Sequence, residues 1–217
     1  MANKETTSKA TVGQDNLTIT TTVKALETVF DKANTKFYNN ELTRPVITFS
    51  PVVKRNSINY GHFVCGEVWH KGDLNRCEIN INCIALESND KVVGTMLHEM
   101  AHAYNYMKGV KDCSGSSNAF HNKAFKETAE AHGLNVERSE AKSYGWSETT
   151  LNDKGKKFAD SIKDDLVALK RDKPKAKQTT SRNISYKYVC PMCGNIARTT
   201  KEMRLTCTDC ECEMIEG

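Results

Sequence analysis

Positions 98–102 of this chain place two histidines and a glutamate within five residues, in the order His-Glu-Met-Ala-His. Side chains four residues apart lie on one face of an α-helix, so His98 and His102 can bind a single metal ion together. Glu99 lies about 100° further round the helix, beside such an ion and outside its ligand set. A carboxylate placed there can act as a general base toward water. The motif therefore predicts a metal-dependent hydrolase with Glu99 as its catalytic residue.

The residues around the motif predict an amphipathic helix that carries it. Apolar side chains recur at intervals of three and four residues, which is typical of a helix with one buried face. Asn89 or Asp90 is the expected N-cap, and Gly109 is expected to end the helix. The apolar face consists of Val92, Val93, Met96, Met100 and Tyr104.

A catalytic zinc ion takes three protein ligands and leaves one position open, so a third ligand must come from another part of the chain. Metzincins continue their motif with a glycine and a histidine, but Asn105 and Lys108 occupy those positions here. The metzincin pattern therefore fails. The remaining candidates lie on a second helix, which the sequence predicts after a loop at 112–118 and before Gly133.

The second helix offers a histidine and two glutamates as possible third ligands. His121 would open the helix and share a face with Phe125, from which it can point toward the first helix. Glu127 lies off that face, and Glu130 lies more than two turns further along the helix than His121. We favour His121, with Glu127, the thermolysin-type solution, as the alternative. His132, at the far end, is expected to be an ordinary capping or surface residue.

A second group of metal-binding residues lies near the end of the chain. Cys190, Cys193, Cys207 and Cys210 have the spacing C-x2-C-x13-C-x2-C. Four thiolates with this spacing are typical of a closed tetrahedral zinc site on a short ribbon, whose folding would depend on the metal. A redox cysteine pair is the alternative, but the segment lacks a βαβ pattern. Cys212 is a spare thiol that could displace Cys210.

Upstream of the motif, residue patterns predict a helix and a small sheet. An amphipathic helix is expected over 23–37, and another late in the chain over 158–169. Alternating apolar residues predict strands over 46–49, 63–69 and 77–83. This alternation favours small buried hydrophobic side chains at Cys65, Cys77 and Cys83. The implied fold is α+β, with a small sheet, a metal-binding helix packed on it, and a separate ribbon.

Composition limits the class of protein further. The 217 residues allow one moderate domain and an appendage. The chain has no apolar run long enough for a transmembrane helix and no signal-peptide pattern, so we expect a cytoplasmic protein without a membrane partner. Nine cysteines in such a chain favour metal binding over disulfides.

The chain resembles the SprT-like metallopeptidase family over about residues 20–217. The resemblance starts from the sequence HEMAHAY at 98–104 and the H-x-x-x-F pattern of His121 and Phe125. It extends upstream to residues 30–49 and downstream to the two cysteine pairs, in the same order along the chain. Residues between 131 and 155 match no part of the family pattern that we can assign.

This resemblance implies a zincin-type protease core with His98, His102 and His121 as zinc ligands and Glu99 as catalytic acid and base. The family includes the eukaryotic DNA–protein crosslink protease Spartan. We therefore predict a zinc metalloendopeptidase with one catalytic and one structural Zn²⁺. One alternative is a nucleic-acid-associated zinc protein with weak or vestigial protease activity. Another is a metallohydrolase that acts on non-peptide amides.

The predicted organisation is a flexible tail at 1–20, the metallopeptidase domain at 21–169, a basic linker at 170–183 and the ribbon at 184–217. The ribbon has four basic and five acidic residues, so we do not expect it to attract DNA by charge. The linker has six basic residues and one acidic residue. DNA, preferably single-stranded, is therefore expected to bind the linker, with Tyr186 and Tyr188 of the ribbon as possible stacking partners. The linker's basic residues are Lys170, Arg171, Lys173, Lys175, Lys177 and Arg182.

Overall fold

The computed structural model describes residues 18–50, 59–115, 119–166 and 185–217. The chain divides into two compact units, residues 1–173 and 174–217. The architecture is mixed α+β with small sheets. Residues 1–17 of the tail predicted at 1–20, and the whole linker predicted at 170–183, lie outside the described residues. Across the described ranges, no helix has the length and apolar character needed to cross a membrane.

The first unit contains five helices within its described residues. They are α1 (Ile19–Tyr38), α2 (Asn89–Met107), α3 (Lys123–Ala131), α4 (Asp153–Ser161) and α5 (Lys163–Leu166). Its strands are β1 (Val46–Ser50), β2 (Gly61–Lys71), β3 (Leu74–Asn82), β4 (Cys113–Ser114), β5 (Phe120–His121), β6 (Leu134–Glu137) and β7 (Glu148–Leu151). Two short 3-10 turns cover Cys83–Glu87 and Lys142–Tyr144.

The largest sheet has the strand order β1-β3-β2 and confirms the three predicted strands. Strand β1 pairs with β3 in parallel, and β2 pairs with β3 in an antiparallel hairpin, so β2 lies at an edge of this sheet. Ile79 and Ile81 of β3 are fully buried in the core. Helix α2 packs closely against β2 at Gly61, where an added Cβ would lie 2.8 Å from Cγ2 of Thr95 on α2.

Helix α1 confirms the first predicted helix and begins inside the segment assigned to the tail. The Thr18 hydroxyl accepts a hydrogen bond from the backbone N–H of Thr21, which forms a capping box at the helix start. Leu26, Phe30 and Ala33 are buried, as the apolar spacing predicts. This face therefore contributes to the same core as β3 and α2.

Helix α2 carries the histidine motif and follows the predicted apolar pattern. Its N-cap is Ser88, whose hydroxyl accepts a hydrogen bond from the backbone N–H of Lys91, so the predicted cap at Asn89 or Asp90 is wrong. A serine side chain satisfies this otherwise unpaired donor. Past the helix end, Gly109 has φ 68°, a left-handed conformation that favours glycine.

The second predicted helix begins later than expected. Asn122 caps α3 by accepting hydrogen bonds from the backbone N–H groups of Ala124 and Phe125. His121 therefore does not open the helix; it lies in β5, where it is paired with Cys113 of β4. The capping residue is the physical reason, because the Asn122 side chain satisfies the first helical donors and leaves His121 extended.

The segment between α3 and α4, which the sequence left unassigned, is an antiparallel pair of strands. Leu134 of β6 pairs with Leu151 of β7, and both side chains are buried. The late helix predicted over 158–169 is divided into α4 and α5 at Ile162, and position 169 lies outside the described residues.

The three cysteines near the sheet differ in burial. Cys83 is buried and Cys77 is partly buried, but Cys65 is exposed. The predicted burial of Cys65 is therefore wrong. The alternation of β2 is interrupted by a register shift between Val64 and Trp69, with Gly66 at φ 101° inside it. Such a bulge changes the direction in which the following side chains point.

The second unit is built from short strands. A three-stranded sheet has the order β12-β8-β9, and β10 pairs with β11. The strands are β8 (Tyr186–Val189), β9 (Ile196–Thr199), β10 (Thr206–Cys207), β11 (Cys212–Glu213) and β12 (Ile215–Glu216). Tyr188 is buried and its hydroxyl oxygen accepts a hydrogen bond from the backbone N–H of Met203, so it packs within the unit and is not exposed for stacking. Tyr186 is half-buried.

Candidate metal centres

Three histidine side chains of the first unit converge through the same ring atom. The Nε2 atom of His98 lies 3.2 Å from that of His121 and 3.3 Å from that of His102, and the His102 and His121 atoms are 3.1 Å apart. A tetrahedral zinc ion with bonds of about 2.0–2.1 Å places its nitrogen ligands about 3.3 Å from one another. The three atoms therefore have the spacing of a set that could hold one metal ion.

The opposite nitrogen of each ring has a partner in the protein. The His98 Nδ1 atom lies 3.1 Å from Oγ1 of Thr149. The His102 Nδ1 atom lies 2.7 Å from Oδ2 of Asp112, and the His121 Nδ1 atom lies 3.1 Å from the carbonyl oxygen of Ala119. When Nδ1 donates a hydrogen bond, Nε2 carries the lone pair that a metal ion needs. These three contacts thus orient the rings with their acceptor nitrogens toward a common point.

Four elements bring these groups together. Helix α2 places His98 and His102 one turn apart, and the β4–β5 pair holds His121 opposite them. The β5 segment is held on its other side too, because the backbone N–H of Trp146 donates to the His121 carbonyl oxygen at 3.0 Å. Strand β7 supplies Thr149. The cluster therefore depends on segments that are distant in sequence.

Burial favours the neutral form of His98 and His121. Desolvation, followed by the neighbouring rings of His102 and His121, lowers the pKa of His98 well below its ordinary value. Desolvation and then His102 lower the pKa of His121 to about 4. A neutral imidazole is the form that binds a metal ion.

Glu99 is buried, with a relative exposure of 4%. Desolvation raises the pKa of its carboxyl group to about 7, although the nearby His102 and a hydrogen bond from the Phe63 backbone N–H act in the opposite direction. A carboxylate with such a pKa can accept a proton near neutral pH and give it up again. Glu99 is therefore suited to acid–base chemistry.

Glu99 and the three histidines line one cleft of about 1760 Å³. Among residues that could assist a reaction there, Tyr60 and Tyr144 also line this cleft. Two other candidates, Tyr104 and His70, are not among the residues that line the cleft. Tyr104 packs against the Tyr38 and His132 rings. The His70 Nδ1 atom lies 2.7 Å from the side-chain oxygen of Asn75 on the β2–β3 hairpin.

The alternative third ligands point away from the cluster. Glu127 is 65% exposed and pairs with Lys123, while Glu130 is 43% exposed and pairs with Lys126. His132 donates from Nδ1 to the carbonyl oxygen of Thr128 at 2.6 Å and stacks on Tyr38. His132 is the C-cap residue of α3, in agreement with the expectation of an ordinary capping or surface residue.

In the second unit, the sulfur atoms of Cys190, Cys193, Cys207 and Cys210 all lie within 4.8 Å of one another. The Cys193 and Cys207 sulfur atoms are 3.7 Å apart. The thiol of Cys212 also reaches this group, with its sulfur 3.5 Å from that of Cys190. The cluster is one that could hold a metal ion and form a zinc ribbon.

Sequence reasoning missed the residues that orient the histidines. Asp112 belongs to no recognisable sequence motif, but its carboxylate accepts hydrogen bonds from His102 and from the side-chain amide of Asn105. Thr149 lies in the segment that matched no family pattern. A carboxylate ten residues after a histidine is too common a spacing to be recognised without the fold.

The fold and these side chains define a mixed α+β protein with a helix-borne histidine cluster and a separate cysteine cluster. The family model for SprT-like proteins matches residues 26–145, which is more than half of the chain. The chain therefore belongs to the SprT-like family, as the resemblance predicted. No curated protein and no solved structure matches the chain significantly.

Proposed function

We propose that this protein is a zinc-dependent endopeptidase with a zincin-type core. The observation that supports this most directly is the convergence of three histidine Nε2 atoms beside the buried carboxyl group of Glu99. Membership of the SprT-like family, whose members resemble metallopeptidases, points in the same direction. In this proposal His98, His102 and His121 are the ligands of the catalytic zinc ion.

The chain's own residues then divide the work of hydrolysis. A zinc ion held by the three histidines would act as a Lewis acid toward water and the scissile carbonyl. Glu99 takes a proton from the attacking water and delivers it to the leaving amine. The hydrogen bond from the Phe63 backbone N–H orients the Glu99 carboxylate for both transfers.

Strand β2 favours a peptide as the substrate over other amides. The strand lies at the sheet edge, and among the described residues it pairs with β3 alone. Residues Gly61 to Cys65 of this strand line the cleft next to Glu99. An extended peptide can pair with an exposed strand edge through its main chain, which would lay the scissile bond across the cleft.

The cysteine cluster is proposed to hold the structural zinc ion through Cys190, Cys193, Cys207 and Cys210. The sulfur spacing supports this assignment, because a tetrahedral site with zinc–sulfur bonds of about 2.3 Å has sulfur atoms about 3.8 Å apart. The proposed organisation is a metallopeptidase domain at 21–169, a basic linker at 170–183 and the zinc ribbon at 184–217. The protein is proposed to work in the cytoplasm.

The test of the peptidase combines metal analysis with proteolysis. Purified full-length chain should contain two zinc ions and cleave an unfolded protein such as casein. Glu99→Gln should keep both zinc ions and lose about 10²- to 10⁴-fold in cleavage rate, because only the proton transfers are removed. The matched control is Glu127→Gln on the exposed face of α3, which should cleave at the native rate.

Two results would contradict the proposal. A Glu99→Gln variant that cleaves casein as fast as the native chain would exclude Glu99 as the base. A native chain that holds two zinc ions but cleaves no protein, with or without single-stranded DNA, would favour the alternative function as a nucleic-acid-associated zinc protein.

Single-stranded DNA is proposed as a partner of the basic linker. Each phosphate that the linker neutralises should contribute about −0.7 to the log–log salt dependence of single-strand affinity. Replacing Lys170, Arg171, Lys173, Lys175, Lys177 and Arg182 by glutamine should remove most of the binding that fluorescence anisotropy detects at low salt. Binding that survives this replacement would exclude the linker as the DNA site.

A further inference from the structure

The zinc ribbon contains five thiols around one site, although a tetrahedral zinc ion takes four ligands. The Cys212 sulfur lies 3.5 Å from the Cys190 sulfur, and the Cys193 and Cys207 sulfur atoms are 3.7 Å apart. Both separations are close to the sulfur–sulfur distance of about 3.8 Å expected between two thiolates of one tetrahedral zinc ion. Cys212 is therefore as near to Cys190 as a ligand of the same ion would be.

The backbone explains why Cys212 reaches the site. Cys207 and Cys212 are directly opposite each other in the antiparallel pair β10–β11. Directly opposed residues of such a pair have Cβ atoms about 4.5–5.5 Å apart and point to the same face. Because Cys207 points into the cluster, Cys212 points there too.

The turn between these strands carries the competing thiol. Cys210 lies within it and belongs to the group of four sulfur atoms that are within 4.8 Å of one another. Glu211 follows with φ 49°, a left-handed conformation that reverses the chain and brings Cys212 back beside Cys207. Cys210 thus reaches the cluster from the turn, and Cys212 reaches the Cys190 thiol from the strand.

We propose that Cys212 is an exchangeable ligand of the ribbon's metal ion, and that either Cys210 or Cys212 completes a four-thiolate site with Cys190, Cys193 and Cys207. The inference rests on the proposed zinc ribbon. It adds that the site tolerates the loss of the Cys210 thiolate from the turn, because Cys212 can take its place.

The experiment uses the full chain with three sets of serine substitutions. These are Cys210→Ser, Cys212→Ser, and the Cys210→Ser/Cys212→Ser double variant, in which only three thiols of the cluster remain. Zinc per chain and zinc affinity are measured by metal analysis and chelator competition. Cobalt(II) substitution then counts thiolates, because the intensity of thiolate-to-cobalt charge transfer rises with each sulfur bound. The histidine site adds nothing to that band.

Each single substitution, Cys210→Ser or Cys212→Ser, should keep four-thiolate cobalt spectra and a zinc affinity within about tenfold of the native chain. The double variant should show at most three thiolates and should bind zinc at least about 100-fold more weakly than the native chain. This pattern would establish the exchange.

Other patterns would overturn the inference. If Cys210→Ser shows three thiolates and the weak affinity of the double variant, Cys212 is not a ligand. If Cys212→Ser alone does so, Cys212 is the permanent fourth ligand and no exchange occurs. A native chain with no thiolate-to-cobalt band would instead refute the proposed zinc ribbon itself, which separates the two failures.

Discussion

The Oδ2 atom of Asp112 lies 2.7 Å from Nδ1 of His102, the ring nitrogen that faces away from the histidine cluster. Asp112 is itself held by the side-chain amide of Asn105, and the Asn105 oxygen accepts a hydrogen bond from the Thr128 hydroxyl at 2.7 Å. Asn105 is almost fully buried. This chain of hydrogen bonds therefore joins α2, α3 and the β4 segment behind one predicted ligand.

Asp112→Asn should weaken zinc binding at the histidine site by about 10- to 100-fold, because the carboxylate orients His102 and increases the basicity of its Nε2. Competition with a chelator measures the affinity. The matched control is Asp160→Asn, an exposed aspartate on α4, which should bind zinc normally. If the two variants bind zinc equally tightly, Asp112 contributes only to folding and not to zinc binding.

His121→Ala should lose one zinc ion per chain, whereas Glu127→Ala should keep both. His121 supplies one of three converging Nε2 atoms, while the Glu127 carboxylate is exposed and paired with Lys123. Metal analysis of the two purified variants decides between them. The opposite result would assign the third ligand to Glu127 and make the site thermolysin-like.

Gly61→Ala should destabilise the fold by about 1–3 kcal/mol, because a new methyl group would overpack the contact between β2 and α2. Its Cβ would lie 2.8 Å from both the Asn80 carbonyl oxygen and Cγ2 of Thr95. Urea unfolding of the metal-free chain measures the change.

The control for this substitution is Gly94→Ala on α2. A Cβ at Gly94 would meet only Leu151 at 3.8 Å, an ordinary contact. Alanine in a helix should therefore stabilise the chain by about 0.5–1 kcal/mol. If both substitutions had the same effect, the close approach at Gly61 would not be a constraint on the fold.

The stability of the metal-free chain should fall as the pH drops below about 6.5, the ordinary histidine pKa. Desolvation lowers the pKa of His132, despite its hydrogen bond to the Thr128 carbonyl oxygen. Between the folded and unfolded pKa values the unfolded chain binds more protons, so acid favours unfolding in that window.

His132→Gln removes this contribution, since glutamine does not titrate. The free energy of unfolding should therefore depend less steeply on pH in the variant than in the native chain, compared at pH 7.5 and pH 5.5 with a chelator present in both. Identical slopes would show that His132 binds its proton equally in the folded and unfolded states.

Local patterns were enough to predict the main helices and the strands of the largest sheet. The apolar periodicity of α1 and α2 and the alternation in β1 and β3 reflect side chains that need a buried face, which is a property of each segment by itself. Predictions from these patterns were wrong where a capping side chain or a β-bulge decided the local structure. Asn122 moved the start of α3, Ser88 capped α2, and a bulge in β2 exposed Cys65.

The sequence by itself determined the chemistry that this protein can offer: paired histidines with a glutamate on one helix, and two cysteine pairs close together in the chain. Both follow from short-range spacing. Only the tertiary structure decided how those groups are oriented, through Asp112, Thr149 and the carbonyl oxygen of Ala119 on the three ring nitrogens, and through the strand pair that brings Cys212 to the other thiols. These contacts join residues from separate segments, and their geometry exists only when the segments pack against one another.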